Sequence, residues 1–211
     1  MRKLTLLTAL LMVSVFLMAQ KTISPDDYIE KKEKAYNNNE IQTVMSSFEL
    51  KRISGFGGPT ISFTQIDGEF AVMSGGGGGV IINNFFIGGY GEGTSNSINN
   101  SPSLEFRNVE FGYGGFWLGY EFMPQRLIHP VVSTRLGWGN VSGITQGNQI
   151  LRDGVFVVIP TVSAEINFTR YFKLNLGVEY RQTFNLNNIP SLSNKDFSNV
   201  GVYMSFLFGW F

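Results

Sequence analysis

From residue 53 onward, apolar and polar positions alternate with a period of two. Between Phe156 and Phe168 the even positions read Phe, Val, Pro, Val, Ala, Ile, Phe, while the odd ones include Thr161, Ser163, Glu165 and Asn167. Phe172, Leu174, Leu176, Val178 and Tyr180 alternate in the same way with Lys173, Asn175, Gly177, Glu179 and Arg181. The last segment carries Val200, Val202, Met204, Phe206, Phe208 and Trp210 on one face and Gly201, Tyr203, Ser205 and Gly209 on the other. Alternation sustained over this length predicts long strands with one apolar and one polar face.

Earlier segments follow the pattern less cleanly. Ile128, Pro130, Val132, Leu136 and Trp138 share a face opposite His129, Ser133 and Arg135. In 106–122 the apolar set begins at Val109, Phe111 and Tyr113, then changes phase to Phe116, Leu118 and Tyr120. Gly114-Gly115 lies at the change and predicts a β-bulge there. Further strands are expected over 53–66, 69–82 and 85–92, eight in all.

The connections sort these strands into an architecture. Asp67-Gly68 is a tight hairpin signal, and Asn83-Asn84 is a second short turn. Then come a long polar loop over 92–104, a short link over 123–127, a long loop over 139–153, a short turn at Thr169-Arg170 and a long loop over 185–196. After the first hairpin, short and long links alternate, the asymmetry of a membrane barrel with short turns on one side and long loops on the other. A strand that crosses hydrocarbon needs ~9–11 residues, and a spanning sheet must close to pair its backbone. The expected fold is therefore all-β: a closed up-and-down antiparallel barrel of eight strands over 53–211.

The first 52 residues differ. Arg2 and Lys3 precede a largely apolar run from Leu4 to Met18, closed by Ala19 and followed by Gln20-Lys21, which reads as a secretory signal peptide over 1–19. Residues 20–52 read as a polar, partly helical lead-in. Ser24-Pro25-Asp26-Asp27 is a helix start, and Ile41, Val44, Met45 and Phe48 form a helical stripe.

Composition narrows the chemistry. Sixteen Lys and Arg balance sixteen Asp and Glu, so no basic excess points to nucleic acid. Cysteine is absent and one histidine is present, which excludes disulfides and thiolate metal sites. No cofactor, metal site or catalytic set is expected. His129 and Ser133 share a face but stand four strand residues apart, roughly 13 Å, too far for a nucleophile–base contact. Gly75–Gly79 lacks the Lys-Ser or Lys-Thr and the helix of a phosphate loop, and is read as steric relief for bulky inward side chains.

The signal peptide, Gly-Phe-Gly-Gly-Pro at 55–59, Phe-Gly-Tyr-Gly-Gly at 111–115, the Glu165-Ile-Asn-Phe-Thr-Arg-Tyr-Phe hairpin and the aromatic end at Phe211 carry a resemblance. The chain resembles the small eight-stranded outer-membrane β-barrels of Gram-negative bacteria, in particular those with glycine-rich early strands. That resemblance implies the cell outer membrane, contact with its lipid, and Phe211 as a signal read by the barrel-assembly machinery. In this register Glu69, Glu121, Arg135, Glu165, Lys173, Glu179 and Arg181 point inward as a paired structural network, because charge withdrawn from water must be paired. Trp138, Tyr171, Tyr180 and Trp210 fall near strand ends, where interfacial aromatics belong. Loops 92–104, 139–153 and 185–196 can meet a surface ligand. The expected role is structural or interactive, with a side-chain-filled interior and no large pore. A small lipid-modifying enzyme and a soluble lipocalin-like barrel binding an apolar ligand are the alternatives; the latter would turn the apolar face inward.

Overall fold

The computed structural model describes residues 51–96, 98, 106–145, 150–189 and 192–211. The expected signal peptide and helical lead-in lie outside them. All described residues belong to a compact unit that begins at Leu50.

Nine strands are present: β1 (Ile53–Ile66), β2 (Glu69–Ile82), β3 (Phe85–Thr94), β4 (Phe106–Glu121), β5 (Ile128–Thr145), β6 (Ile150–Thr169), β7 (Phe172–Tyr180), β8 (Gln182–Phe184) and β9 (Val200–Gly209). Every pairing is antiparallel, β1 closes on β9, and β5 also pairs β6. β7 and β8 both pair β6 in one continuous register, from Thr161↔Glu179 to Val158↔Gln182, and so form a single stave broken at Arg181. The result is a ring of eight staves, as the alternation predicts.

Asp67 and Gly68 both have positive φ, 49° and 79°, the left-handed pair that a two-residue hairpin turn requires. At the opposite end Asn83, φ 58°, turns β2 into β3, and its side-chain oxygen accepts from the amides of Lys51 and Arg52. The barrel thus has a turn end, holding both chain termini of the ring, and a loop end.

Three sequence expectations change. No bulge occurs at Gly114-Gly115, where Gly114↔Trp138 and Gly115↔Gly137 stay in register; the irregularity of β4 is at Phe106–Asn108. The apolar set changes phase because β4 is apolar on both faces. Val109, Phe111, Tyr113 and Trp117 point inward, while Phe116, Leu118 and Tyr120 point out. The loop expected over 139–153 is mostly strand, since β5 runs to Thr145 and β6 begins at Ile150. Outward Asn140, Ser142 and Arg152 are polar and separate Ile144 and Ile150 from the apolar run below, so a hydrophobic-alternation reading stops too early. The loop expected from 92 starts only after Thr94.

Glycines shape both faces of the wall. Gly77 stands where a Cβ would lie 3.0 Å from the Trp117 ring, and a Cβ at Gly119 would meet the Phe86 ring at 2.3 Å. These positions make room for the interior aromatics Phe56, Phe86 and Trp117, which contact one another edge to face at 5.4–5.5 Å between centroids. Outward, Gly57↔Gly78↔Gly89 and Gly76↔Gly91↔Gly114 form two rows of bare backbone across β1–β4.

Candidate functional site

The inward face carries the ionisable residues. Arg135 is 1 % exposed and Lys173 2 %, whereas Phe208 is 55 % exposed and Trp210 71 %. Two ion clusters lie along the lumen, set by where each inward position falls on its strand.

At the turn end, Lys173 of β7 donates to Glu121 of β4 at 3.2 Å and to Glu165 of β6 at 2.6 Å. Asn175 donates to the second oxygen of Glu165 at 3.2 Å, and Arg52 approaches Glu121 at 3.6 Å. His129 lies with Nε2 3.2 Å from Glu165 Oε1 and Nδ1 3.2 Å from the Arg126 carbonyl. The last residue, Phe211, covers this cluster, its ring centre 4.4 Å from the Lys173 ammonium.

Glu121, His129 and Glu165 each offer one ligand atom within 4.8 Å of the others, a grouping able to hold a cation. Lys173 already supplies one: its ammonium contacts both carboxylates, and a metal would have to displace it against mutual repulsion. The arrangement is also unsuited to nucleophilic catalysis. Both His129 nitrogens face oxygens of Arg126 and Glu165, and no serine hydroxyl among the described residues bonds to the ring.

In mid-barrel the Arg135 guanidinium spans the lumen from Glu92 of β3 to Glu179 of β7, with an ion pair to each. Glu92 also accepts from Thr60 at 3.0 Å and from the Tyr113 hydroxyl at 3.1 Å. The guanidinium sits over the Tyr203 ring at 4.7 Å and the Tyr90 ring at 5.5 Å. Four staves, β3, β5, β7 and β9, are thereby tied through one side chain. Such fully bonded charge meets the condition under which burial is tolerated.

Of the seven residues read as a paired inward network, Glu121, Arg135, Glu165, Lys173 and Glu179 form it. Arg181 is buried and inward, but it bonds carbonyls, those of Phe197 at 2.8 Å and Gln65 at 3.4 Å, and lies over the Phe111 ring at 5.2 Å. Glu69 is half-buried beside the Asp67-Gly68 hairpin and makes no ion pair among the described residues. It stands at the loop end, where water solvates it. Glu92 and His129 also belong to the clusters although neither was among the seven; His129 was placed on the face of Arg135 but weighed only as a catalytic base. Glu92 shares the inward phase of Phe86 and Tyr90, a signal hidden by assigning it to a loop.

At the loop end, described residues after β8 turn inward. Leu186, Ile189, Leu192 and Phe197 are buried, and Phe197 packs edge to face on Phe111 at 5.2 Å. Asp153 anchors this segment, accepting from the amides of Asn187 and Asn188 at 2.6 and 2.8 Å and from the Asn188 side chain at 2.9 Å. The amides of Asn188, and then of Asn187, hold the Asp153 carboxyl below its usual range against the opposing effect of burial. Residues 185–189 and 192–196 are therefore less a free loop than an inward-folded segment.

The outward face is a continuous apolar band bounded by two aromatic rings. Tyr171 and Trp210 pack at 5.7 Å at the turn end, and Trp138 contacts Phe116 and Phe156 at 6.4 and 5.2 Å toward the loop end. Tyr180 stands at the same end of its stave. From Ile128 to Trp138, β5 rises roughly 25 Å at the usual strand rise and tilt, the height of the band on outer-membrane barrels. No helix among the described residues is long and apolar enough to cross a membrane.

Comparison with known proteins gives the same architecture. No protein-family model and no curated protein matches the sequence. Among solved structures, the barrel is similar to neisserial surface protein A (TM-score 0.56, 12 % identity, 77 % of this chain and 99 % of that one). It is also similar to the N-terminal β-barrel domain of Pseudomonas aeruginosa OprF (TM-score 0.53, 12 % identity, 77 % of this chain and 100 % of that domain). The fold is that of the small outer-membrane β-barrels.

Proposed function

We propose that this chain is an integral outer-membrane barrel with a structural or surface-interaction role and a closed, side-chain-filled interior. One observation carries the reading: the barrel is inverted relative to a soluble protein, with Arg135, Glu165 and Lys173 sealed inside and Phe116, Val162, Val178 and Phe208 exposed outside. In water that surface would aggregate; in hydrocarbon it is the stable solution. The same inversion speaks against a lipocalin-like carrier, whose apolar side chains line the lumen.

Both ends of the lumen support a closed interior, one covered by Phe211 and the other by Leu186, Ile189, Leu192 and Phe197. An eight-stranded barrel has an interior about filled by its own side chains. With no nucleophile–base pair around His129, the favoured role is non-catalytic. The partners are outer-membrane lipid, the barrel-assembly machinery during biogenesis, and a surface ligand met at the loop end.

Membrane fractionation and planar-bilayer recording test this reading together. The chain is expected to stay with outer membranes through carbonate extraction, to leave with detergent, and to give no large stable conductance. Release by carbonate would defeat the membrane assignment, and nanosiemens-scale channels would defeat the closed interior.

A further inference from the structure

Above the aromatic ring at the loop end, the outer wall of β3–β5 carries a groove of about 450 Å³ lined by Gly93, Asn108, Glu110, Gly112, Asn140 and Ser142, among others. Its floor exists because Gly93 pairs with Gly112, so no side chain fills the space, while Asn140 faces Gly112 and Ser142 faces Glu110 on the flanking strands. Asn108 donates to the Glu110 carboxylate at 3.3 Å, and the Asn140 side chain makes no hydrogen bond among the described residues.

Two properties select an occupant. The first is height: Asn140 is the next outward residue after Trp138, so on the membrane reading the groove opens at the level of lipid headgroups. The second is chemistry. Among the described residues the lining holds one carboxylate, amides, hydroxyls and the Phe111 ring and no cation; Arg152, paired opposite Ser142, stands outside it. Such a set repels phosphate and offers both donors and acceptors to hydroxyl groups. We infer that the groove holds a neutral, hydroxyl-rich saccharide unit carried by a lipid of the outer leaflet. The inference rests on the membrane assignment above.

The test uses the full chain in phosphatidylcholine nanodiscs, alone, with lipopolysaccharide bearing its core sugars, or with lipid A that has phosphates but no core. Backbone amide signals of Gly93, Gly112 and Asn140 are expected to shift with the core-bearing lipid and not with lipid A. The double variant Asn140→Ala with Glu110→Ala is expected to weaken the effect about tenfold or more, as loss of two hydrogen-bonding groups implies. Ser142→Trp, which fills the groove, is expected to abolish it while the barrel still enters the nanodisc. Absence of the shift, an equal shift with lipid A, or an unchanged response in both variants would overturn the inference. A chain that fails to enter nanodiscs defeats the membrane assignment instead, so the two failures are separable.

Discussion

The Lys173 ammonium lies 4.4 Å from the centre of the Phe211 ring, so the final residue faces the buried ion cluster and not the lipid. Trp210, its neighbour, points the other way and is exposed. The expectation that Phe211 acts as an assembly signal thus meets a side chain on the lumen side, where it also shields Lys173, Glu121 and Glu165.

Removing Lys173 tests whether the protein carries its own cation. Lys173→Met leaves two buried carboxylates facing each other beside His129, and stability should fall by about 3–5 kcal/mol. The ligand atoms of Glu121, His129 and Glu165, all within 4.8 Å, then become a vacant N/O site. Zinc added in excess should recover part of the loss in the variant and do nothing to the parent. Urea unfolding in lipid vesicles, with and without zinc, reads both effects.

Gly137 and Tyr90 should be energetically coupled. A Cβ at Gly137 would lie 2.4 Å from the Tyr90 hydroxyl oxygen. Gly137→Ala is expected to cost about 1–3 kcal/mol, the usual range for overpacking. Tyr90→Phe removes the clashing atom, and the double variant should be more stable than the two single losses add up to. Additive losses in a double-mutant cycle would show that the contact is not the cause.

Of three tryptophans, two should report the bilayer interfaces and one should be silent. Trp138 and Trp210 are exposed at opposite edges of the apolar band, while Trp117 is sealed in the lumen with 2 % exposure. Single-tryptophan versions quenched by brominated lipids should place Trp138 and Trp210 at shallow depth. Trp117 should resist both brominated lipids and acrylamide.

The Asp153 anchor gives a pH dependence of definite sign. Its carboxyl is held below the ordinary value near 3.8 by the amides of Asn188 and Asn187. A group depressed on folding contributes stability above its unfolded pKa and loses that contribution as pH falls through the folded one. Amide-exchange protection at Asn187 and Asn188 should therefore hold at neutral pH and fade below the usual carboxyl range. Asp153→Asn should show no such step.

Legibility in the sequence followed the chemical purity of each face. β7 was readable because its inward positions are polar or small and its outward ones greasy; β6 keeps that contrast from Thr161 onward, after the inward Val155, Val157 and Ile159, and β9 keeps it except at Leu207. β4 misled because Phe111 and Tyr113 fill the lumen while Phe116 and Leu118 meet lipid, so hydrophobicity alone suggests a slip where the register is continuous. β2 and β3 carry glycine on both faces and give alternation nothing to act on. Arg135 was placed correctly by phase, but its partner Glu92 lies 43 residues away in a segment read as loop. Contacts of that kind depend on barrel shear, which no local pattern reports.

Unequal strand lengths leave the molecule with a front and a back. β5 and β6 continue 18 and 20 residues, whereas β1 and β2 stop at 14 and turn at once through Asp67-Gly68. A neighbour drifting in the plane of the membrane therefore meets a high parapet from one side and a low sill from the other. Its angle of approach decides which part of the crown it can touch.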